Sequence, residues 1–243
     1  MRVLFCIFLA INLYAQSIYA SFDVVARKSA KLSLSALGVV KSVNVEVGKA
    51  IKKDDLLLEL DSDVESVGLS NARAELNLAN TALNHARATY NRYLQVKSVV
   101  NQQILDDVNF KKNEAELRVR MAQSGIAKYE TLIKQKKLKA PFDGIISAKY
   151  IEVGEGVAGP SQPLFLLETY PEVKLLLSFD EKYEDLVKIG DTYEYTINGL
   201  KMSGKISKVY PSIDVKTRKI YAEVLANDLT IGSFGEGYII TGK

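Results

Sequence analysis

The chain has 243 residues, with 47% hydrophobic and 25% charged residues and a formal net charge of +3. That length fits one large or two modest domains, and the small charge gives no sign of nucleic acid as a partner, which takes a dense basic surface. One cysteine, Cys6, and one histidine, His85, exclude a disulfide framework and a histidine-rich metal centre.

The first twenty residues, MRVLFCIFLAINLYAQSIYA, place Arg2 before an apolar core from Val3 to Ile11 and end on one small residue, Ala20. They read as a secretory signal peptide over 1–20, cut after Ala20, with Ala15 as the second cleavage position. The apolar run is short for a membrane span, and an uncleaved anchor is the alternative. Export to the periplasm follows, and the mature chain then has no thiol.

From Gly38 to Leu60 the pattern is short strands. It recurs from Gly144 to Glu168. A shift of 106 residues brings Gly38 onto Gly144, Glu46 onto Glu152, Val47 onto Val153 and Gly48 onto Gly154. This is an internal duplication. Within the second copy, GEGVAG (154–159) matches the G-x-G-x-x-G of dinucleotide sites. Pro160 and Pro163 follow where that motif needs a helix, so the match lacks its structural context. The first copy reads GKAIKK at the same place. The glycines are therefore expected to serve a strand-to-strand turn with positive φ.

Between the copies, 62–139 is free of proline and rich in helix formers. Leu69, Ala72, Leu76, Ala79, Leu83, Ala86, Tyr90 and Tyr93 are spaced by threes and fours, with Lys97 and Val100 continuing the register. A second series runs Leu105, Val108, Lys112, Ala115, Val119, Ala122, Ile126, Tyr129 and Ile133. Two such series predict an antiparallel coiled-coil hairpin on the order of 50 Å long. Asn101 is the expected N-cap of the second arm, and the cations of KQKKLK suit its C-terminal end. With no further helices to make a bundle, the pair should project as a rod.

After Glu168 the segments EVKLLLSF, TYEYTI, KISKVY and KIYAEVL alternate as strands of a small antiparallel barrel. One helix is expected from Asp180 to Val187, with a capping box from Ser178 to Glu181. The fold class is thus α+β, elongated and multi-domain.

Two glycine-punctuated halves flanking a helical hairpin resemble the lipoyl/biotinyl fold split by an insertion. Together with LKAPFDGII (138–146), GDTYEYTI, GKISKVYPSIDVKTRKI and GEGYII, the order of parts resembles the periplasmic adaptor, or membrane fusion, protein family of tripartite efflux systems. The motif residues Pro211, Asp214, Thr217 and Arg218 fall in its barrel segment. The resemblance implies a lipoyl-like domain from 36–61 plus 140–168, the hairpin from 62–139, and a barrel domain from 22–35 plus 169–241. A membrane-proximal domain, usual in the family, is expected to be absent or minimal. The implied partners are an outer-membrane channel, an inner-membrane transporter and further copies of the chain in a ring or funnel, with no nucleic acid. The resistance-nodulation-division branch carries R-x3-L-x6-S at the hairpin tip. This chain offers Arg92, Val96 and Asn101, the last two residues early, and Lys97 beside them; these four are the candidate channel-binding residues. Joints are expected at Asp61/Ser62, 139–141 and 168–171.

No catalytic constellation, cofactor or metal site is expected. His85 reads as a solvated flank residue, and Met121 and Met202 are too few for a metal cluster. DSDVE (61–65) reads as charge compensation at a helix start rather than a calcium loop. The alternative functions are an adaptor for type I secretion or an ATP-driven exporter, a lipoyl-type carrier subunit, and a purely structural coiled coil.

Overall fold

The computed structural model describes residues 16–197 and 199–242. In chain order the elements are β1 (Gln16–Ala26), β2 (Ser29–Leu32), β3 (Gly38–Val43), β4 (Ala50–Ile51), β5 (Leu56–Leu60), α1 (Asp63–Gln95), α2 (Gln102–Gln135), β6 (Lys137–Lys139), β7 (Gly144–Lys149), β8 (Gly156–Val157), β9 (Phe165–Glu168), β10 (Glu172–Asp180), a 3-10 turn (Glu181–Tyr183), β11 (Thr192–Ile197), β12 (Leu200–Asp214), β13 (Lys219–Asn227) and β14 (Phe234–Thr241).

The duplicated halves interlock into two four-stranded sheets, β2-β9-β7-β4 and β6-β5-β3-β8. Each half lends its short strand to the other's sheet. Gly38 pairs with Val157, and its duplicate Gly144 pairs with Ile51. The turn glycines repeat the exchange: Gly48 N–H donates to Ile146 O at 2.8 Å, and Gly154 N–H to Val40 O at 2.9 Å. Their φ values, 83° and 90°, are the left-handed conformation that glycine adopts without strain. Gly156 is not among the positive-φ residues, so the second glycine of GEGVAG has no such duty. The core between the sheets holds Leu57, Leu58, Leu60, Ile146, Leu164, Phe165 and Leu167, all at 0% exposure. Across the halves, Lys149 Nζ meets the duplicate carboxylates Glu46 and Glu152 at 3.0 and 2.8 Å.

The second body is a closed barrel in the order β1-β10-β13-β12-β11-β14. Period-2 alternation sends Val173, Leu175, Leu177 and Phe179 of β10 inward, each at most 2% exposed. Tyr193 is fully buried there, edge-on to Phe22 and stacked on Tyr195. Its hydroxyl donates to Ala20 O at 2.7 Å, which satisfies the one polar atom it brings inside. Burial pushes its phenol well above the ordinary tyrosine range.

On the barrel wall, Lys174 Nζ and Tyr210 Oη both donate to Glu223 Oε1 at 2.6 Å. Burial acts to raise the Glu223 carboxyl, but these hydrogen bonds and the lysine charge outweigh it and hold the group below its ordinary value. A carboxylate with a lowered folded pKa contributes stability above its unfolded pKa, near 4.3, and loses that contribution as pH falls through the folded value. Glu223→Gln is therefore expected to lower unfolding stability at pH 7 by about 1–2 kcal/mol. Urea midpoints of the two proteins should converge as the pH drops below about 4.

The helices pack antiparallel. Arg73 pairs with Glu130 at 3.7 Å and Arg87 with Glu116 at 3.0 Å. The arms have 33 and 34 residues, or about 50 Å each. Every buried apolar residue of the pair (Ala72, Leu83, Ala115, Val119 and Ala122) lies in the two predicted series. Lys112, a charge on the predicted seam, sets its Nζ 4.7 Å from the centre of the Tyr90 ring.

Several boundaries differ from the sequence reading. Residues 1–15 of the expected signal peptide lie outside the described residues, but Gln16–Ala20 are barrel strand, so cleavage after Ala20 would cut β1 in two. The barrel begins at Gln16 instead of residue 22. The segment 29–35 belongs to the sandwich: β2 pairs with β9, and Leu32 and Leu34 are buried in that core. Likewise 137–139 is not hairpin, because β6 pairs with β5. Lys97 is off the seam, since α1 ends at Gln95. The helix expected over 180–187 is only a 3-10 turn. Asp180 caps it by accepting from Lys182 N–H at 3.0 Å. Ser178 instead places its Oγ 3.0 Å from Ser21 Oγ on β1, so no capping box forms.

Three of the four barrel motif residues, Asp214, Thr217 and Arg218, build one turn. Asp214 Oδ1 accepts the N–H groups of Lys216 and Thr217, each at 2.9 Å, and these bonds hold its carboxyl below the usual range. Arg218 closes the turn with φ of 54°, donating its N–H to Asp214 O at 2.8 Å. Its guanidinium lies 3.6 Å from Glu181, which ties the β12–β13 turn to the 3-10 turn.

Candidate functional site

The end of the rod lies an arm's length, about 50 Å of helix, from the base where α1 and α2 join the sandwich. Five residues, 96–100, link the helix α1 to the N-cap of α2. Val96 ends α1, its N–H donating to Tyr93 O at 3.2 Å. Asn101 begins α2 with extended backbone, and its side chain accepts the Gln103 N–H at 2.9 Å. That is the predicted cap. Gln102 Nε2 then donates to Asp106 Oδ1 at 2.9 Å, placing the acid one turn inside the positive end of α2. Arg92 lies in the last turn of α1 and donates to Thr89 Oγ1 at 3.2 Å. Its charge and that of Lys97 both face solvent.

The structure thus brings Arg92, Val96, Lys97 and Asn101 together at one end. It adds three apolar residues that the motif comparison did not single out: Leu94, Val99 and Ile104, exposed by 41%, 84% and 43%. Their signal in the sequence is that they are apolar letters at the chain reversal, off the buried register. Exposed apolar side chains near two cations at the end of a helical pair make a surface suited to packing against other helices.

Asn101 has a structural duty that a contact role must be separated from. Asn101→Ala is expected to cost about 1 kcal/mol in thermal unfolding, whereas Asn101→Asp should cost little. A partner contact through the amide would be lost in both.

The opposite end of the rod is laced to the sandwich. Lys136 Nζ lies 3.1 Å from Asp61 O and 3.2 Å from Glu65 Oε1, and Lys137 lies 3.3 Å from Glu59. The KQKKLK cations therefore tie the base together, beyond any effect on the helix dipole. Glu65 of the DSDVE run is one of their partners, and Asp63 of the same run pairs with Lys41 at 3.4 Å.

His85 is exposed on α1, and Met121 and Met202 sit apart on α2 and β12. Among the described residues no three His, Cys, Asp or Glu side chains converge as a metal site, and no helix is long and apolar enough to cross a membrane.

Residues 28–166 match the family described as the CzcB-like, barrel-sandwich hybrid domain. That span runs from the segment entering β2 to the start of β9, which is the sandwich with the rod inserted. The cobalt-zinc-cadmium resistance protein CzcB of Cupriavidus metallidurans is 31% identical over 207 residues, covering 81% of this chain and 39% of that protein. The chain thus spans about two fifths of that relative's length. Among solved structures, a MacA-MexA chimeric protein with the Pseudomonas aeruginosa MexA α-hairpin domain gives a TM-score of 0.72 at 20% identity, covering 93% of this chain and 82% of that one. The membrane fusion protein Spr0693 of Streptococcus pneumoniae R6 gives 0.74 at 15% identity, covering 93% and 100%. Both share the fold. With the interlocked sandwich, the inserted helical pair and the barrel in place, the chain belongs to the periplasmic adaptor, or membrane fusion, protein family, in its CzcB-like barrel-sandwich branch.

Proposed function

We propose that this chain is the periplasmic adaptor of a tripartite efflux system, linking an inner-membrane transporter to an outer-membrane channel for export of drugs, metals or other small compounds. The single observation that carries the reading is the split module. A duplicated β domain gives up the hairpin between its halves to a pair of helices about 50 Å long, whose far end exposes apolar and cationic side chains. Such a shape spans distance and presents an end, which is what an adaptor needs and a catalyst does not. The rod acts as an antiparallel coiled coil, and its tip packs on helices of the channel through Arg92, Val96, Lys97 and Asn101. The sandwich and barrel pack with sister copies into a ring or funnel, and the changes of element at Asp61/Ser62 and 168–171 are its joints; the joint expected at 139–141 falls inside the sandwich, where β6 pairs with β5 and Ala140 is buried. The protein does no chemistry of its own. It is exported by residues 1–15, with cleavage after Ala15, or held at the inner membrane by them. A carrier role is disfavoured, because the turn that would display a modified lysine is occupied by α1 and α2.

The test uses the full chain with Cys6→Ser, so that single cysteines report alone. Asn101→Cys or Lys97→Cys should cross-link to an outer-membrane channel in the native cell, whereas Asn77→Cys at mid-rod should not. Absence of an adduct from any position between 92 and 104 would remove the reading.

A further inference from the structure

Two short links join the barrel to the sandwich: 27–28 between β1 and β2, and 169–171 between β9 and β10. They are tied to each other. Lys28 N–H donates to Thr169 Oγ1 and Thr169 N–H to Lys28 O, both at 3.0 Å. Beyond the links, no hydrogen bond or ion pair among the described residues runs from one body to the other. A cleft of about 590 Å³ opens at this junction, a volume in the range of small-ligand sites, which favour domain boundaries.

The sandwich side of the cleft is fixed. Lys53 N–H donates to Asp143 Oδ1 at 2.6 Å and Asp54 N–H to Ala140 O at 2.8 Å, while Phe142 packs on the sandwich core. The facing side carries Tyr170, 44% exposed, and Pro171, whose carbonyl accepts the Asp228 N–H of the barrel at 3.1 Å. Pro141 completes the apolar lining.

The charges of the lining do not balance. Arg27 is matched by Glu172 at 2.6 Å. Lys28 and Lys53 take part in no ion pair among the described residues, and Asp143 receives the backbone N–H of Lys53. Lys28 Nζ instead lies 5.9 Å from the centre of the Phe142 ring. Two ammonium groups against one carboxylate leave one positive charge over, beside two aromatic rings and two prolines.

We propose that this cleft binds a small organic anion with one carboxylate and a flat aromatic body. Lys28 and Lys53 take the carboxylate, and the body lies among Phe142, Tyr170 and the two prolines. An inorganic anion would leave that apolar lining wet, and an uncharged ring would leave the lysines unmatched. The occupant touches the sandwich wall and the 169–171 link at once, so it restrains the joint at 168–171. That restraint rests on reading 168–171 as a joint of the adaptor; the binding does not.

The experiment titrates the purified full-length protein with 2-naphthoate, followed by calorimetry. Saturable binding of one naphthoate per chain is expected. Lys28→Gln and Lys53→Gln should each weaken it at least about tenfold, the loss of one charge-assisted hydrogen bond. Lys52→Gln, which removes the same charge from an exposed neighbour outside the lining, should leave it unchanged. Naphthalene-2-carboxamide should bind at least about tenfold more weakly than the acid. No saturation at millimolar naphthoate, equal binding of the carboxamide, equal losses in all three lysine variants, or displacement by an equal concentration of inorganic phosphate would each overturn the site. Spin labels on Lys41→Cys and Thr196→Cys, in the chain with Cys6→Ser, report on the joint. Their distance distribution should narrow when naphthoate saturates the cleft. Binding with an unchanged width would overturn the restraint. No channel or transporter is present, so these results are independent of the tip adduct that tests the adaptor reading.

Discussion

Gly144→Ala is expected to destabilise the sandwich by about 3 kcal/mol, the upper end of what overpacking costs. The cause is backbone, not conformation. A Cβ at Gly144 would stand 2.2 Å from Glu168 O and 2.9 Å from Glu168 C, where no flexible side chain can yield. Gly144 pairs with Ile51, and the next residue, Ile145, pairs with Glu168. The clash therefore falls where one half hands its strand to the other. Loss should spread to Ile146 and Leu167 beneath it. Gly156→Ala is the control. Its Cβ would meet nothing within 4 Å, and the change should stay within about 0.5 kcal/mol. Urea unfolding of the two variants separates the effects, and equal midpoints would refute the account of the close approach.

Removing residues 16–20 should be worse still. Ile18 and Ala20 are fully buried, Gln16 to Ala20 pair with Thr241 to Gly237, and Tyr193 donates to Ala20 O. Burial of Ile18 alone is worth about 2–3 kcal/mol. The larger loss is closure: without the first half of β1, one end of β14 becomes an open sheet edge and the Tyr193 hydroxyl loses its acceptor. A chain starting at Ser21 is expected to lose the cooperative unfolding of the barrel and to bind hydrophobic dyes. Intact mass of the exported protein should place its first residue at or before Gln16. A mature protein starting at Ser21 with an intact barrel would contradict this.

The parts of the fold that were legible in the sequence are those governed by local periodicity or by repetition. Leu83, Ala115 and Val119 could be read as buried because helical spacing alone decides which side they share. Gly48 and Gly154 could be read as turn formers because each halves the other's ambiguity: a phosphate loop would not appear in one copy as GKAIKK. Asn101 declared itself as a cap by type and place. What failed depended on contacts distant in sequence. Gln16–Ala20 look like the tail of a signal peptide, and only β14, more than two hundred residues on, makes them a strand. The strand 29–32 reads as barrel because nothing local shows that Leu32 and Leu34 fill the other core. Ser178 and Glu181 have capping-box spacing, but β10 runs on to Asp180 and takes Ser178 with it. The cluster of Lys174, Tyr210 and Glu223 comes from three strands and leaves no motif. For the tip, the family pattern pointed to Arg92, Val96, Lys97 and Asn101. Leu94, Val99 and Ile104 became apparent only once the chain reversal was placed at 96–100.

The central claim is that the helical pair stands free of the β bodies and carries its tip away from them. Spin labels at Lys41 and Lys97, in the chain with Cys6→Ser, measure this most directly. Lys41 sits on the sandwich beside the rod base, its Nζ 3.4 Å from Asp63, and Lys97 is at the far turn. The labels should be separated by about 50 Å in a narrow distribution, the length of an arm of this size. A separation below about 30 Å, which folding the arms back on the sandwich would give, would contradict the account.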